Sequence, residues 1–273
     1  MTKKLYSKTI WITGASSGVG EGMATVFHRE GADIIISGRR ETELERVKSS
    51  CTGGGGRVTV LPFDIADAAQ VEEAASSVLA NFERLDVLVN NAGISQRALA
   101  HETALDVDRR VMEVDFFGPI TLTKLVLPRM IEQQSGHLVV TSSVAGKHGV
   151  PYRTAYCAAK HALHGFFDTL RIELLDHNID VMLLVIAGVQ SDVAQHALTA
   201  DGSEFGHNDW GGGGLSITPE KCGERVVEAL LNKEYEPVIS IEPALQAMKL
   251  KDQDPVKFTE RMHGMMSWMA KKE

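Results

Sequence analysis

Cysteine is scarce in this chain: only Cys51, Cys157 and Cys222 occur, far apart. An odd and scattered set argues against a disulfide framework and a CxxC metal or redox motif, and points to a reducing compartment. Basic charge is also short, with 28 Lys and Arg against 36 Asp and Glu, a net charge of -8 and a pI of about 5.7. Without a basic footprint to release counterions from a phosphate backbone, nucleic-acid binding is not expected. Long apolar runs are missing as well. The longest, Val181 to Ala187, is far shorter than the roughly 18 to 20 residues of a membrane-spanning helix. Lys3, Lys4 and Lys8 are followed by Gly14, Ser16 and Ser17 before any signal-peptide core develops, and Lys271-Lys272-Glu273 matches no common address. The expectation is a cytoplasmic protein with no membrane partner.

What is present is an ordinary globular balance: 273 residues, 44% hydrophobic and 23% charged. Short β-branched runs alternate with longer stretches of helical period. Strands are predicted over 9–13, 33–37, 58–63, 87–90, 137–142, 181–186 and 237–241. Most are continuously apolar, as strands covered on both faces of a parallel sheet are. Helices are predicted over 18–30, 41–50, 67–82, 104–131, 154–176 and 219–232. The fold class is therefore α/β, a Rossmann-type, three-layer, doubly wound parallel sheet of about seven strands, in a single domain over 1–273. Gly53 to Gly56 reads as a flexible connector, and Gly211 to Gly214 closes an irregular stretch at about 193–216. Loops that long are functional lids or disordered; this one follows a strand's C-terminal end, where ligands bind in open sheets, so a substrate lid is predicted. In the tail, about 243–273, Met248, Met262, Met265, Met266, Trp268 and Met269 recur at rough helical spacing. They predict a helix packed on the core or on a second subunit.

The first strand runs into Thr13-Gly14-Ala15-Ser16-Ser17-Gly18-Val19-Gly20, and a helix follows. Gly14 permits a tight turn, Gly18 lets backbone approach a pyrophosphate, and Gly20 lets the helix pack close to the sheet, while the helix N-terminus offers N–H groups to anionic oxygen. Farther along, Tyr156 and Lys160 share a helical face one turn apart. A tyrosine near its reference pKa of about 10 is a poor base at neutral pH, and a neighbouring ammonium stabilises its phenolate. The same spacing also occurs as a surface pair.

With Asp64, Asn90-Asn91-Ala92-Gly93, Ser143, Tyr156-Cys157-Ala158-Ala159-Lys160 and Ala187-Gly188 following the glycine turn in order, the chain resembles the short-chain dehydrogenase/reductase superfamily over nearly its whole length. Phe116-Phe117-Gly118 to Lys124, and Leu198 to Ser203, resemble the dehydrogenase/reductase member 7B-like subgroup. The N-terminal anchor of membrane-bound relatives is not expected here. The resemblance implies an NADP(H)-dependent carbonyl reductase or alcohol dehydrogenase, moving hydride between nicotinamide and a ketone or secondary alcohol of a small hydrophobic substrate. It implies Tyr156 as acid/base, Lys160 as its pKa partner and nicotinamide-ribose ligand, and Ser143 as hydrogen-bond partner of the substrate oxygen, with Ser142 a lesser candidate. The cofactor is implied to contact Gly14, Ser16, Ser17, Gly18, Val19 and Gly20, with Asp64 and Ile65 near the adenine, Asn91, Ala92 and Gly93 flanking adenine and ribose, and Gly188 and Val189 at the far end. Where NAD-selective relatives carry an acid after the second strand, this chain has Gly38, then Arg39 and Arg40. Guanidinium groups bind phosphate bidentately, so Arg39 is assigned to the 2′-phosphate of NADP(H), assisted by Arg40 and by Ser37 or Ser16. The alternative is that both arginines merely begin a solvated helix.

Three positions depart from the family pattern. Asp115 stands where asparagine is usual; its backbone carbonyl remains available to a water leading to Lys160, while its carboxylate adds negative charge as an altered relay residue. Ala187 replaces a proline, and Asp192 aligns with a threonine that helps bind the carboxamide, with Gln190 in place of an apolar residue. These departures motivate an alternative, a low-turnover NADP(H)-binding sensor or subunit. His148, Val150 and Tyr152, with Ile94, Ser95 and Gln96, are predicted to line the substrate pocket. His161 and His164 lack an evident third ligand, so no metal site is expected, and Cys157 reads as a packing residue. Relatives commonly associate through the helices at 104–131 and 154–176, which implies a homodimer or homotetramer.

Overall fold

The computed structural model describes residues 4–207 and 216–269. Its strands are β1 (Thr9–Thr13), β2 (Asp33–Ser37), β3 (Val58–Val60), β4 (Val87–Asn90), β5 (Gly136–Ser143), β6 (Ile179–Ala187) and β7 (Val238–Ser240). They form one sheet in the order β3-β2-β1-β4-β5-β6-β7. All pairings are parallel, with Ile12 opposite both Ile36 and Val89. The order reverses between β1 and β4, which opens a crevice at the strands' C-terminal ends.

Helices α1 (Gly18–Arg29), α2 (Glu41–Ser50), α3 (Ala68–Asn81), α4 (Leu105–Met112), α5 (Gly118–Gln133), α6 (Thr154–Glu173) and α7 (Pro219–Leu231) cover the two faces. Alternation along the strands divides the core between them. Ile10, Ile12, Ile34 and Ile36 pack with Met23 and Phe27 of α1, Leu44 of α2 and Val226 of α7. Trp11, Ile35, Leu88 and Val140 pack with Val78 of α3, Val126 of α5 and Phe167 of α6. Burial on both sides is why these strands read as unbroken apolar runs.

Close helix approach depends on missing side chains at two positions. A Cβ on Gly20 would lie 2.2 Å from the Gly14 carbonyl oxygen, which sets α1 hard against the turn that precedes it. One on Gly22 would lie 2.1 Å from the Pro219 oxygen, so α1 crosses α7 at backbone contact. Arg29 fastens that crossing to Glu220 and Glu224.

Several elements differ from their sequence-based outlines. β3 ends at Val60, although Leu61 and Phe63 still donate to the Ile36 and Gly38 carbonyls. The helix predicted over 104–131 is divided by a π turn, Glu113–Phe117, in which the Gly118 N–H reaches back five residues to Glu113. Pro119 explains the division: it lacks the N–H that would bond the Asp115 carbonyl, and its ring crowds that turn. Gly53–Gly56 is more than a connector, since a Cβ on Gly54 or Gly56 would lie 2.0 Å from the His28 oxygen or 2.1 Å from the Ala32 oxygen.

The stretch predicted as a lid is pinned at its base by Ile217, whose carbonyl accepts from the Gln190 N–H and whose N–H donates to the Gly188 carbonyl, and Leu198 pairs with both Gln96 and Glu204. Its glycine run Gly211–Gly214 lies outside the described residues. The tail is two helices rather than one, α8 (Glu242–Gln253) and α9 (Pro255–Met269), broken where Asp254 precedes proline. Phe258 of α9 is buried against His148, with ring centroids 5.1 Å apart.

Two alanine substitutions should have opposite effects. Gly22→Ala is expected to destabilise by about 1–3 kcal/mol through overpacking against α7. Gly165→Ala, exposed within α6 with open space around it, is expected to stabilise by roughly 0.5–1 kcal/mol. Chemical denaturation midpoints check both.

Candidate active site

One cavity of about 1210 Å³ runs along the C-terminal ends of the strands, from Arg39 and Arg40 at one end to Met262 and Met265 at the other. The first end is built by the β1–α1 turn. Gly14 has φ +65° and a Cβ there would lie 2.7 Å from Ala92 Cα, so glycine is required both for conformation and for space. Ser17, at the N-cap of α1, makes no side-chain bond to the first helical turn, which leaves those N–H groups available to an anion beside Gly18 and Val19 in the cavity wall. This is a cradle that fits a pyrophosphate.

Gly38, Arg39 and Arg40 line the same end, and Arg40 donates to Ser16 Oγ and Ser17 Oγ at 3.2 and 3.3 Å. Ser37 does not join them: it is fully buried and its Oγ accepts from Trp11 Nε1 at 2.9 Å, because it points into the core. Asp64 and Ile65 line the cavity, as do Asn91, Ala92 and Gly93. Burial works to raise the Asp64 carboxyl, but the Ala66 N–H and the Arg110 guanidinium outweigh it and hold it below the ordinary aspartate value. Arg110, from α4, was not legible in the sequence; no motif connects it with a residue 46 positions earlier.

The predicted catalytic residues meet near the middle. Ser143 ends β5, with its Oγ accepting from the Ala145 N–H at 3.1 Å, while Tyr156 and Lys160 come from the first turns of α6. All three line the cavity. Lys160 is buried; its Nζ donates to the Thr141 carbonyl at 3.1 Å and lies 5.4 Å from the Tyr156 ring centroid. The π turn delivers Asp115, wholly buried, with Oδ1 accepting from Ile94 N–H at 2.7 Å and Oδ2 3.2 Å from Lys160 Nζ. Thus the carboxylate itself pairs with the lysine, where only the Asp115 backbone was expected to serve it. Burial pushes the Asp115 carboxyl up and Lys160 opposes that rise. Burial would lower the Lys160 ammonium, but the Asp115 charge outweighs it and keeps the lysine protonated.

Ser142 also borders the cavity, with its Oγ engaged by His164 Nε2 at 2.9 Å. His164 Nδ1 lies 3.4 Å from Glu236, whereas His161 bonds the Cys157 carbonyl of its own helix, so the two rings do not converge. Burial raises the Cys157 thiol, consistent with a packing role. Gly188, Val189, Gln190 and Asp192 all border the cavity after β6.

On the substrate side, Ile94, Ser95, His148 and Val150 line the cavity. Tyr152 does not: its backbone is left-handed at φ +64° and its ring stacks under the Arg97 guanidinium, 4.2 Å away. Gln96 is diverted to structure as well, accepting from the Ala155 N–H at 2.8 Å at the start of α6. The sequence reading missed Arg153, which is buried in the wall and donates to Ser95 Oγ at 2.5 Å, and missed the methionines of α9 as wall residues. Their rough helical spacing was visible, but the cavity they cover was not.

The family profile of the short chain dehydrogenases matches residues 8–201. The chain is 41% identical over 241 residues to the dehydrogenase/reductase SDR family protein 7-like of Drosophila melanogaster, covering 87% of this chain and 74% of that protein. To the dehydrogenase/reductase SDR family member 7B of Rattus norvegicus it is 42% identical over 211 residues, covering 75% of this chain but only 65% of that protein, just under two thirds of its length. Among solved structures, a short-chain dehydrogenase from Streptomyces avermitilis superimposes with a TM-score of 0.78 at 26% identity, covering 96% of this chain and 98% of that one. A metagenomic short-chain oxidoreductase in complex with NADP gives 0.72 at 26% identity, covering 87% and 98%.

Burial holds His164 and His148 below the ordinary histidine value of 6.5, so the fold keeps both neutral. Their stabilising contribution is complete above about pH 6.5 and is lost as pH falls toward their folded values, because the unfolded chain takes up the protons first. Thermal midpoints of the parent should fall more steeply below that pH than those of His164→Gln. Parallel pH dependences would contradict a neutral, buried His164.

Proposed function

The chain belongs to the short-chain dehydrogenase/reductase family, and from that premise we propose that it is an NADP(H)-dependent oxidoreductase. Its substrate is the ketone or secondary alcohol of a small hydrophobic molecule. The observation that carries this reading is the convergence of Ser143, Tyr156 and Lys160 in one cavity that continues into a glycine cradle at a helix N-terminus.

The cradle residues fit a dinucleotide, with Gly14 and Gly18 both at positive φ and the N–H groups of α1 facing the cavity. Arg39 and Arg40 would meet the 2′-phosphate, since Gly38 presents no carboxylate to repel it. When bound, the nicotinamide supplies or accepts the hydride. Ser143 donates a hydrogen bond to the substrate oxygen, where charge develops, and Tyr156 Oη gives that oxygen a proton in reduction or takes one in oxidation. Lys160 holds its charge beside the tyrosine. Apolar walls, including Val150, Leu198, Met262 and Met265, support a hydrophobic substrate and exclude water. Exposed Leu105 and Phe117 before α5, and Ile172 on α6, support association of copies through those helices.

A second reading, a low-turnover NADP(H)-binding sensor or subunit, is favoured by one observation: Asp115 offsets the Lys160 charge. Oxidation of NADPH in the presence of a ketone panel separates the two. The parent should turn over, and Tyr156→Phe should lower kcat by roughly 10²- to 10⁴-fold while still binding NADPH. Tight NADPH binding without turnover by any panel member selects the sensor.

Arg39→Ala should weaken NADPH by about 10- to 100-fold and leave NADH nearly unchanged, as calorimetric affinities will report. Equal losses for both nucleotides would remove Arg39 from the phosphate.

A further inference from the structure

Lys160 and Asp115 form a buried pair in the cavity wall. Their side chains retain 5% and 0% exposure, and the lysine reaches Asp115 Oδ2 at 3.2 Å. The carboxylate is held in turn by the Ile94 N–H and by the π turn that Pro119 imposes. Gly93 runs close beside the pair, where a Cβ would stand 3.1 Å from Asp115 Oδ2 and 3.4 Å from Lys160 Nζ. An ammonium alone favours the phenolate of a nearby tyrosine. With a carboxylate 3.2 Å from the nitrogen and the ring centroid 5.4 Å away, the two charges act on Tyr156 more nearly as a dipole than as a cation.

We propose that Asp115 is a positioning residue that neutralises the field of Lys160 at Tyr156, holding the tyrosine in its proton-donating form at neutral pH and directing the site toward carbonyl reduction. The inference rests on the role given above to Tyr156 as acid/base. In the favoured direction the substrate carbonyl carbon gains a hydride from the reduced nicotinamide, and its oxygen gains the Tyr156 proton. The product is an alcohol, and the tyrosine is reprotonated from water. The reverse direction needs the phenolate first, which the Asp115 charge opposes.

Other groups face the same space. The Thr141 carbonyl and the Ser143 hydroxyl come from β5, Gly93 and Ile94 from the loop after β4, His148 and Arg153 from the segment between β5 and α6, and Asp192 from the loop after β6. None of the titratable groups among them is altered by a substitution at position 115, and Asp115→Asn keeps an amide oxygen for the Ile94 N–H, so a difference between parent and that variant reports the Asp115 charge.

The test is Asp115→Asn, with Asp115→Ser as a smaller uncharged substitution should the first fail to fold. Two readouts are taken on the full chain. In the first, the pH dependence of alcohol oxidation should move to lower pH by about one unit or more, with reduction at high pH falling over the same shift. In the second, which needs no substrate, the phenolate absorbance that disappears in a Tyr156→Phe background should emerge at correspondingly lower pH than in the parent. An unmoved phenolate titration in both uncharged variants overturns the proposal. A shifted titration without turnover of any carbonyl upholds the charge pairing and removes the oxidoreductase reading instead.

Discussion

The two halves of the cavity are held in register by the Asn91 side chain. Its Nδ2 donates to the Thr13 and Gly14 carbonyls, and its Oδ1 accepts from Thr141 Oγ1, all at 3.1 Å. One amide therefore ties together the C-terminal ends of β1, β4 and β5. The first of these leads into the glycine turn and the last ends in Ser143, while the carbonyl of Thr141 also receives the Lys160 ammonium. Such a bond set is costly to leave half-made in a partly buried place, which holds the strand ends to one relative position. The glycines beside it serve the same constraint by letting backbone meet backbone, as Gly14 does with Ala92.

Around that lock the charges are sorted by position. The net charge of -8 gives no hint that one end of the cavity is positive, with Arg39, Arg40 and Arg110 near an uncapped helix N-terminus. At the centre the Asp115–Lys160 pair sums to nothing, although each member is buried. A lone buried charge would shift toward its neutral form; Lys160 opposes that shift in Asp115, and Asp115 keeps the lysine protonated. The outer end is largely apolar and is roofed by elements that arrive late in the chain, Leu198 from the segment after β6 and the methionines of α9. The sheet and its helices thus carry the cradle with Ser143, Tyr156 and Lys160, and the last third of the sequence contributes the roof.

Much of this was legible in the linear sequence. β1, β2 and β4 coincide with their predicted spans, because a strand buried on both faces leaves an unbroken apolar run. The glycine turn and the Tyr156–Lys160 spacing are local as well, each set by one turn of backbone. Where the reading failed, a side chain had been claimed by a distant partner. Ser37 was taken by Trp11, Tyr152 by Arg97, and Gln96 by the start of α6. The helix at 104–131 looked continuous because its apolar period is continuous, while the interruption comes from a single proline acting on the carbonyl four residues back.

The resemblance to the short-chain dehydrogenases singled out Ser143, Tyr156 and Lys160, while sequence pattern alone determined the alternating elements, the parallel sheet and the glycine turn. These properties follow from periodicities of two and of three to four residues and from the conformational demands of glycine, which act within one turn or strand. Only the tertiary structure decided that the Asp115 carboxylate meets Lys160, that Arg110 meets Asp64, that Arg153 lies in the cavity wall and that the tail roofs the cavity. Each is a contact between segments tens of residues apart, created when whole helices dock to bury apolar surface, and no local pattern encodes which polar side chains that docking will bring together.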